Sequence, residues 1–150
     1  MIEVERAQAR DAPDIAPLFD AYRSFFTAGR DLATSARFLS ERLASAESVV
    51  YGARADGRWR GFAQLYPLWS SWYCARIWFL SDLYVAEDAR GRGLGRLLVE
   101  RVKAHAYETG ASSVMVELPR SEPHLQAFYS SLGFAEDDVF GLARYRLPGV

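Results

Sequence analysis

Asp82-Leu83-Tyr84-Val85-Ala86-Glu87-Asp88-Ala89-Arg90-Gly91-Arg92-Gly93-Leu94-Gly95-Arg96 is the stretch that decides how this chain folds. An apolar strand, Leu83-Tyr84-Val85, runs into a loop with three glycines and three arginines, and the loop opens into an amphipathic helix. Glycine lacks a Cβ, so it reaches backbone conformations in which successive N–H groups turn toward one point. The first turn of the following helix adds N–H groups without intrahelical partners and a partial positive charge. Such an arrangement suits a phosphate-bearing ligand held by the main chain.

Two common phosphate loops do not match. The dinucleotide fingerprint needs a third glycine three places after the second, where this chain has Arg96 or Leu98. The nucleoside triphosphate loop needs Gly-Lys followed by Ser or Thr, which is not present. What stands here is Arg-x-x-Gly-x-Gly, Arg90 to Gly95, between Leu83-Tyr84-Val85 and Leu97-Leu98. This resembles the pyrophosphate-binding signature of the GNAT N-acetyltransferases. The alternative is a glycine-rich strand-to-helix turn that only packs.

Working outward, 150 residues suit one domain, 1–150, with a substantial core. Half the residues are apolar and 25% are charged, ordinary for a soluble globular protein. A formal net charge of -1 supplies no basic field for nucleic acid. Positive charge gathers instead at Arg90, Arg92, Arg96 and Arg101. The single cysteine, Cys74, forbids an intrachain disulfide and reads as a packed strand residue. His105 and His124 are too few for a metal site, so no metal is expected. The charged N-terminus is unlike a signal peptide, and no apolar run approaches the roughly 20 residues that span a bilayer. The expectation is a cytoplasmic protein without membrane or nucleic-acid partners.

Local signals give an order of β-α-α-β-β-β-α-β-α-β-β. Ile2 to Ala7 alternates as a short strand. Asp11 before Ala12-Pro13 marks a helix start, and Ile15, Leu18, Phe19, Tyr22 and Phe25 or Phe26 recur at helical spacing up to Gly29. A second helix begins near Thr34, with Phe38, Leu39 and Leu43 on one face. Val49–Arg54 and Trp59–Leu68 flank an Asp56-Gly57 turn, the second strand stopping near Pro67. Trp69 to Tyr73 reads as a loop or hairpin tip, and Arg76 to Val85 as the long central strand. The helix from Gly93 to Thr109 turns Leu94, Leu97, Leu98, Val102 and Ala106 inward, with Gly110 as its C-cap. Ser113–Leu118 is a strand, His124–Leu132 a short helix, and Phe134 onward with Leu142–Leu147 the last two strands. Hairpins and crossovers together imply an α+β fold of three layers, a mixed and mostly antiparallel sheet flanked by helices. That order resembles the acetyltransferase fold over essentially the whole chain.

The resemblance implies roles. The co-substrate would be acetyl-CoA, its pyrophosphate bound by Arg90, Gly91, Arg92, Gly93, Leu94, Gly95 and Arg96. Leu83, Tyr84 and Val85 would pair with the pantetheine arm where the central strand splays from its neighbour, and the Leu83 N–H would bind the thioester oxygen. Gln126-Ala127-Phe128-Tyr129-Ser130-Ser131-Leu132-Gly133-Phe134 resembles the family's second motif, making Tyr129 the general acid. A phenol is protonated at neutral pH and can donate to a thiolate. Glu122 departs from the pattern, standing where the family usually has Asn. Asp82 reads equally as the base for the amine or as a residue fixing strand geometry through its backbone. Polyamine-type relatives often have a glutamate at the position of Ser81. Tyr22, Trp72 and Glu117 are candidates for acceptor binding, while Phe25 and Phe26 read as core. The expected activity is acetyl transfer to a small primary amine. Protein-lysine acetylation and non-catalytic coenzyme A binding are the alternatives. The late strands could pair two copies into a homodimer.

Overall fold

The computed structural model describes residues 1–27 and 29–150. The described chain separates into two compact units, Met1–Glu117 and Leu118–Val150.

The first unit is built on one sheet. Its strands are β1 (Ile2–Arg6), β2 (Val49–Ala55), β3 (Arg58–Ser70), β4 (Ala75–Val85) and β5 (Ser113–Val116), and they lie in that order across the sheet. The first three pairings are antiparallel, and β4 with β5 is parallel. The helices are α1 (Ala12–Ser24), α2 (Leu32–Ala44) and α3 (Leu94–Glu108). The α3 crossover supplies the length that a parallel β4–β5 pair requires.

Alternation along the strands feeds two helix layers. Val50 and Phe62 pack with Ile15 and Phe19 of α1 and Leu39 of α2. On the opposite face Tyr51 meets His105 of α3, and the Gly61 backbone lies under Leu98. Leu94, Leu98, Val102 and Ala106 recur every fourth residue, the spacing that makes one buried stripe on a helix. β2 is covered on both faces, which is why Val49-Val50-Tyr51 reads as a continuous apolar run. The connection from α1 to α2 is tied by buried Asp20. Its carboxylate accepts from Arg30 Nε at 2.5 Å, the Asp31 N–H at 2.9 Å and the Ser35 hydroxyl at 2.7 Å.

Several expectations are corrected in this unit. β3 does not stop near Pro67 but runs to Ser70, with Pro67 opposite Trp78. β2 has already ended at Val49 opposite Leu65, so Pro67 sits where β3 has only one neighbour and a missing donor is tolerated. α1 ends at Ser24 rather than near Gly29, and Ala28 lies outside the described residues. Phe25 and Phe26 therefore fall past the helix and are exposed, not core. Leu97 is exposed because it lies off the α3 stripe. Cys74 is exposed in the β3–β4 turn at φ 49°, not packed in a strand.

The second unit holds α4 (Pro123–Ser131). Tyr129 is buried, its ring edge-on to Phe128 at 5.2 Å and Phe134 at 5.3 Å. The turn closes with the Phe134 N–H on the Tyr129 carbonyl at 3.1 Å. The two strands expected after Phe134 do not form. Asp137 instead accepts the N–H groups of Val139 and Phe140, each at 2.8 Å, making a local turn. Leu142, Tyr145 and Leu147, the large apolar residues of the last expected strand, are all exposed. Apolar and aromatic residues alone do not make a strand, because β propensity measures packing against neighbours.

Candidate active site

The central feature is an interruption between β4 and β5. Their parallel ladder runs from Ile77 opposite Ser113 to Leu80 opposite Val116 and stops there. β4 continues to Val85, so its last five residues have no strand partner on the β5 side, which leaves a gap in the sheet. The direction of its donors follows from one bond. The Ala86 N–H reaches across to the Arg60 carbonyl at 2.8 Å, and alternation turns the Tyr84 N–H to β3 as well. The N–H and C=O groups of Leu83 and Val85 therefore face the opening. The Val85 carbonyl already accepts from Arg90 Nε at 3.0 Å, and the Arg90 guanidinium lies 5.5 Å from the Tyr84 ring centre.

The same end of β4 carries a bulge. Gln64 of β3 lies opposite Asp82, and its neighbour Leu65 lies opposite Leu80, so β4 has one extra residue at Ser81. An extra residue re-aims the side chains that follow it. Leu80 points to the α3 face, whereas Asp82 points to the α1 face. There the Tyr22 hydroxyl donates to the Ser81 carbonyl at 3.1 Å. Gln64 Nε2 donates to Asp82 Oδ2 at 2.6 Å, and the Ser81 hydroxyl donates to Oδ1 at 3.1 Å. Burial pushes the Asp82 carboxyl above the usual range, while hydrogen bonds from Gln64, Ser81 and Tyr22 pull against it.

Beyond β4, a single 3₁₀ turn at Glu87–Ala89 leads into the glycine loop. Gly91 and Gly93 have φ of 77° and 83°, and a Cβ at either would meet no atom within 4 Å. Glycine is required there by backbone conformation, not by crowding. Gly93 is the N-cap of α3, which has no acidic residue in its first turn and no capping side chain. Buried Leu94 anchors that turn while Arg92 and Arg96 stay at the surface. The N-terminus of α3 thus presents donors and positive potential that no side chain of its own first turn answers, while Arg92 of the loop lies 3.6 Å from the Asp56 carboxylate. Arg101 does not join this charge. It forms a paired contact with Glu108, 2.9 Å on each nitrogen, and donates to the Tyr51 hydroxyl.

The structure therefore gathers Tyr22, Asp82, the Leu83–Val85 edge and the Arg90–Arg96 loop along one end of β4. Exposed Glu117 directly follows the last rung of the β4–β5 ladder, at the mouth of the same opening. Trp72 lies beyond the other end of β4. Asp82 is seven residues past Ala75, about 23 Å at strand spacing. Tyr129 belongs to the second unit. Glu122 is the N-cap of α4, with its carboxylate 3.3 Å from His124 Nδ1. An open cleft of about 470 Å³ lies beside the site, lined by Phe25, Arg30, Tyr84, Glu87 and Asp88 among others. Among the described residues no helix is long and apolar enough to cross a membrane. Gln64 was not singled out from the sequence. Its signal is a lone amide inside the apolar run Phe62-Ala63-Gln64-Leu65-Tyr66, since a polar group buried there must be hydrogen-bonded.

A mixed sheet opened between two parallel strands, beside a glycine loop capping a helix, defines an acyltransferase fold. The Acetyltransferase (GNAT) family profile matches residues 15–134, and the chain belongs to that family. An uncharacterized N-acetyltransferase of Bacillus subtilis, YhfO, is 36% identical over 139 residues, covering 93% of each chain. The crystal structure of a probable acetyltransferase superposes with a TM-score of 0.88 at 38% identity, covering 97% of both chains. The D-amino-acid N-acetyltransferase HPA3 of Saccharomyces cerevisiae is 33% identical over 79 residues, 53% of this chain and 49% of its own. The protein is an acetyltransferase enzyme of this family.

Proposed function

We propose that this enzyme transfers the acetyl group of acetyl-CoA to the primary amine of a small molecule. The observation that carries the reading is the β4 edge at Leu83 and Val85, with backbone groups turned to an opening just before an uncapped helix N-terminus. These residues fit the co-substrate. The N–H groups around Gly91, Gly93 and Gly95 and the Arg90, Arg92 and Arg96 side chains would hold its pyrophosphate. Acetyl-CoA supplies an activated thioester acyl group. The Leu83 N–H would stabilise the developing oxyanion, a donor generally worth about 2.7–4 kcal/mol in acyl transfer.

The acceptor arrives as an ammonium ion. Asp82 takes one of its protons, directly or through water, the C–N bond forms as the C–S bond breaks, Tyr129 gives its proton to the departing thiolate, and the second nitrogen proton leaves through water to restore the Tyr129 phenol. The motif around Tyr129 supports that last assignment. The Phe25 and Tyr84 rings and the Glu87 carboxylate of the cleft, with Tyr22 beside Asp82, suit a cationic acceptor. The acceptor class named for the yeast relative, an amino acid, is compatible with such a site.

A thiol-release assay tests the reading. Acetyl-CoA is offered with D-phenylalanine, phenethylamine, putrescine and a lysine-containing peptide. Turnover on a free amine is expected. Firm acetyl-CoA binding with no turnover would point to a binding module, and turnover on the peptide alone to a protein-lysine acetyltransferase. Tyr129→Phe is expected to lower kcat by about 10²-fold or more while acetyl-CoA affinity is nearly unchanged. Unaltered kcat across pH would remove Tyr129 from the role of acid.

A further inference from the structure

Asp82 is an unusual carboxylate. It is 7% exposed, yet no arginine, lysine or histidine among the described residues forms an ion pair with it. A buried charge normally needs a counter-charge or a dense set of donors. Its neighbours are hydroxyls and an amide. Ser81 donates from its own strand, Tyr22 from α1 and Gln64 from β3, and the Tyr66 phenol of β3 lies near enough to feel the Asp82 charge. Burial and the Asp82 charge push the Tyr66 phenol up to about 12, so Tyr66 stays neutral over the working range. Arg42 and Glu47 bear on Tyr66 with opposite signs.

The shortest of these bonds comes from Gln64, which has no exposed surface. Its amide is fixed at both ends. The Ser48 hydroxyl, also buried, donates to Gln64 Oε1 at 2.8 Å, leaving Nε2 to face Asp82. A flipped amide would set its oxygen against an ionised carboxylate. The contact therefore selects one amide orientation and favours the ionised acid. The bulge at Ser81 brings Asp82 onto the face where Gln64 can meet it.

We propose that Gln64, locked by Ser48, is the positioning residue that fixes the Asp82 carboxylate for accepting the amine proton. The inference rests on the reading of Asp82 as base given above. Gln64 donates to one carboxylate oxygen and Ser81 to the other, Tyr22 adds a third donor, and a carboxylate has about four acceptor sites. One site remains for a water or the ammonium of the acceptor. The step moves one proton: the ammonium becomes the free amine and Asp82 the neutral acid, with no bond to Gln64 changing.

The test separates the two claims. The Asp82 carboxyl is titrated by ¹³C NMR in the whole protein, assigned by its loss in Asp82→Asn. The pH profile of kcat/KM is measured with acetyl-CoA and the fastest free amine of the panel. Activity requires ionised Asp82, so it falls as pH drops through its pKa. A hydrogen bond to a charged group is worth about 1.5–3 kcal/mol, so Gln64→Leu is expected to raise both the NMR titration and the acid limb by about one to two pH units. Activity should recover at higher pH. Ser48→Ala, which frees the amide without removing it, should move both upward by less. It also serves if Gln64→Leu does not fold. A shifted NMR titration with an unmoved acid limb would show that Asp82 is held by Gln64 but is not the base. An unmoved titration in a folded variant would overturn the positioning role itself.

Discussion

Replacing Gly93 by alanine isolates one physical demand of the glycine loop. Gly93 has φ 83° and ψ 8°, the left-handed region, and it caps α3. An alanine Cβ there would meet nothing within 4 Å, so no clash adds to the backbone term. The cost of a left-handed non-glycine residue is about 1–2 kcal/mol. For a chain of this size each kcal/mol lowers Tm by about 2–4 °C, giving an expected drop of about 2–8 °C by circular dichroism. Gly93→Asn should lose less, because asparagine tolerates this conformation and is a good N-cap. Isothermal calorimetry with acetyl-CoA should show weaker binding for Gly93→Ala than its stability loss alone explains, since the first N–H groups of α3 are re-aimed. Wild-type Tm in the alanine variant, or equal losses for alanine and asparagine, would refute a left-handed requirement at this position.

Other outcomes follow from packing elsewhere. Burial raises the proton affinity of Asp20, but bonds from Arg30, Ser35 and the Asp31 N–H outweigh it and hold the pKa below the usual aspartate value. That contribution is present above the unfolded pKa and is lost as pH falls through the folded one. Asp20→Asn should therefore destabilise by about 1–3 kcal/mol in urea at pH 7, with a smaller gap near pH 3. A gap independent of pH would contradict the ionic account. A Cβ added at Gly52 would overlap the Trp59 ring, which also stacks under Arg54 at 3.8 Å. Gly52→Ala should cost about 1–3 kcal/mol in the wild type and less in a Trp59→Leu background, read as coupling in a double-mutant cycle.

What was legible in the sequence divides along physical lines. Arg90 to Gly95 was readable because the loop needs particular backbone conformations, and glycine placement records those directly. The α3 stripe was readable because Leu94, Leu98 and Val102 obey a local period. Phe25 and Phe26 were misread because the same period continues past the residue where the helix stops. The late strands do not form because Leu142 to Leu147 has apolar residues suited to a strand but, among the described residues, no strand beside it to pair with. The aim of Asp82 was hidden for a different reason. Strict alternation from Leu80 puts Asp82 on the α3 face, and only the extra residue at Ser81 reverses it. Gln64 gains meaning only through that reversal, so its partner in the strand opposite could not be chosen from spacing.

The parting of β4 from β5 has a consequence for backbone protection. Along one short segment, neighbouring amides live in different worlds: Tyr84 N–H turns toward β3, while Leu83 and Val85 N–H look into the gap. Deuterium should therefore enter at residues 83 and 85 well before residue 84 in the ligand-free enzyme. An acyl donor lying in the gap as a surrogate strand should slow the fast pair and leave the slow one as it was.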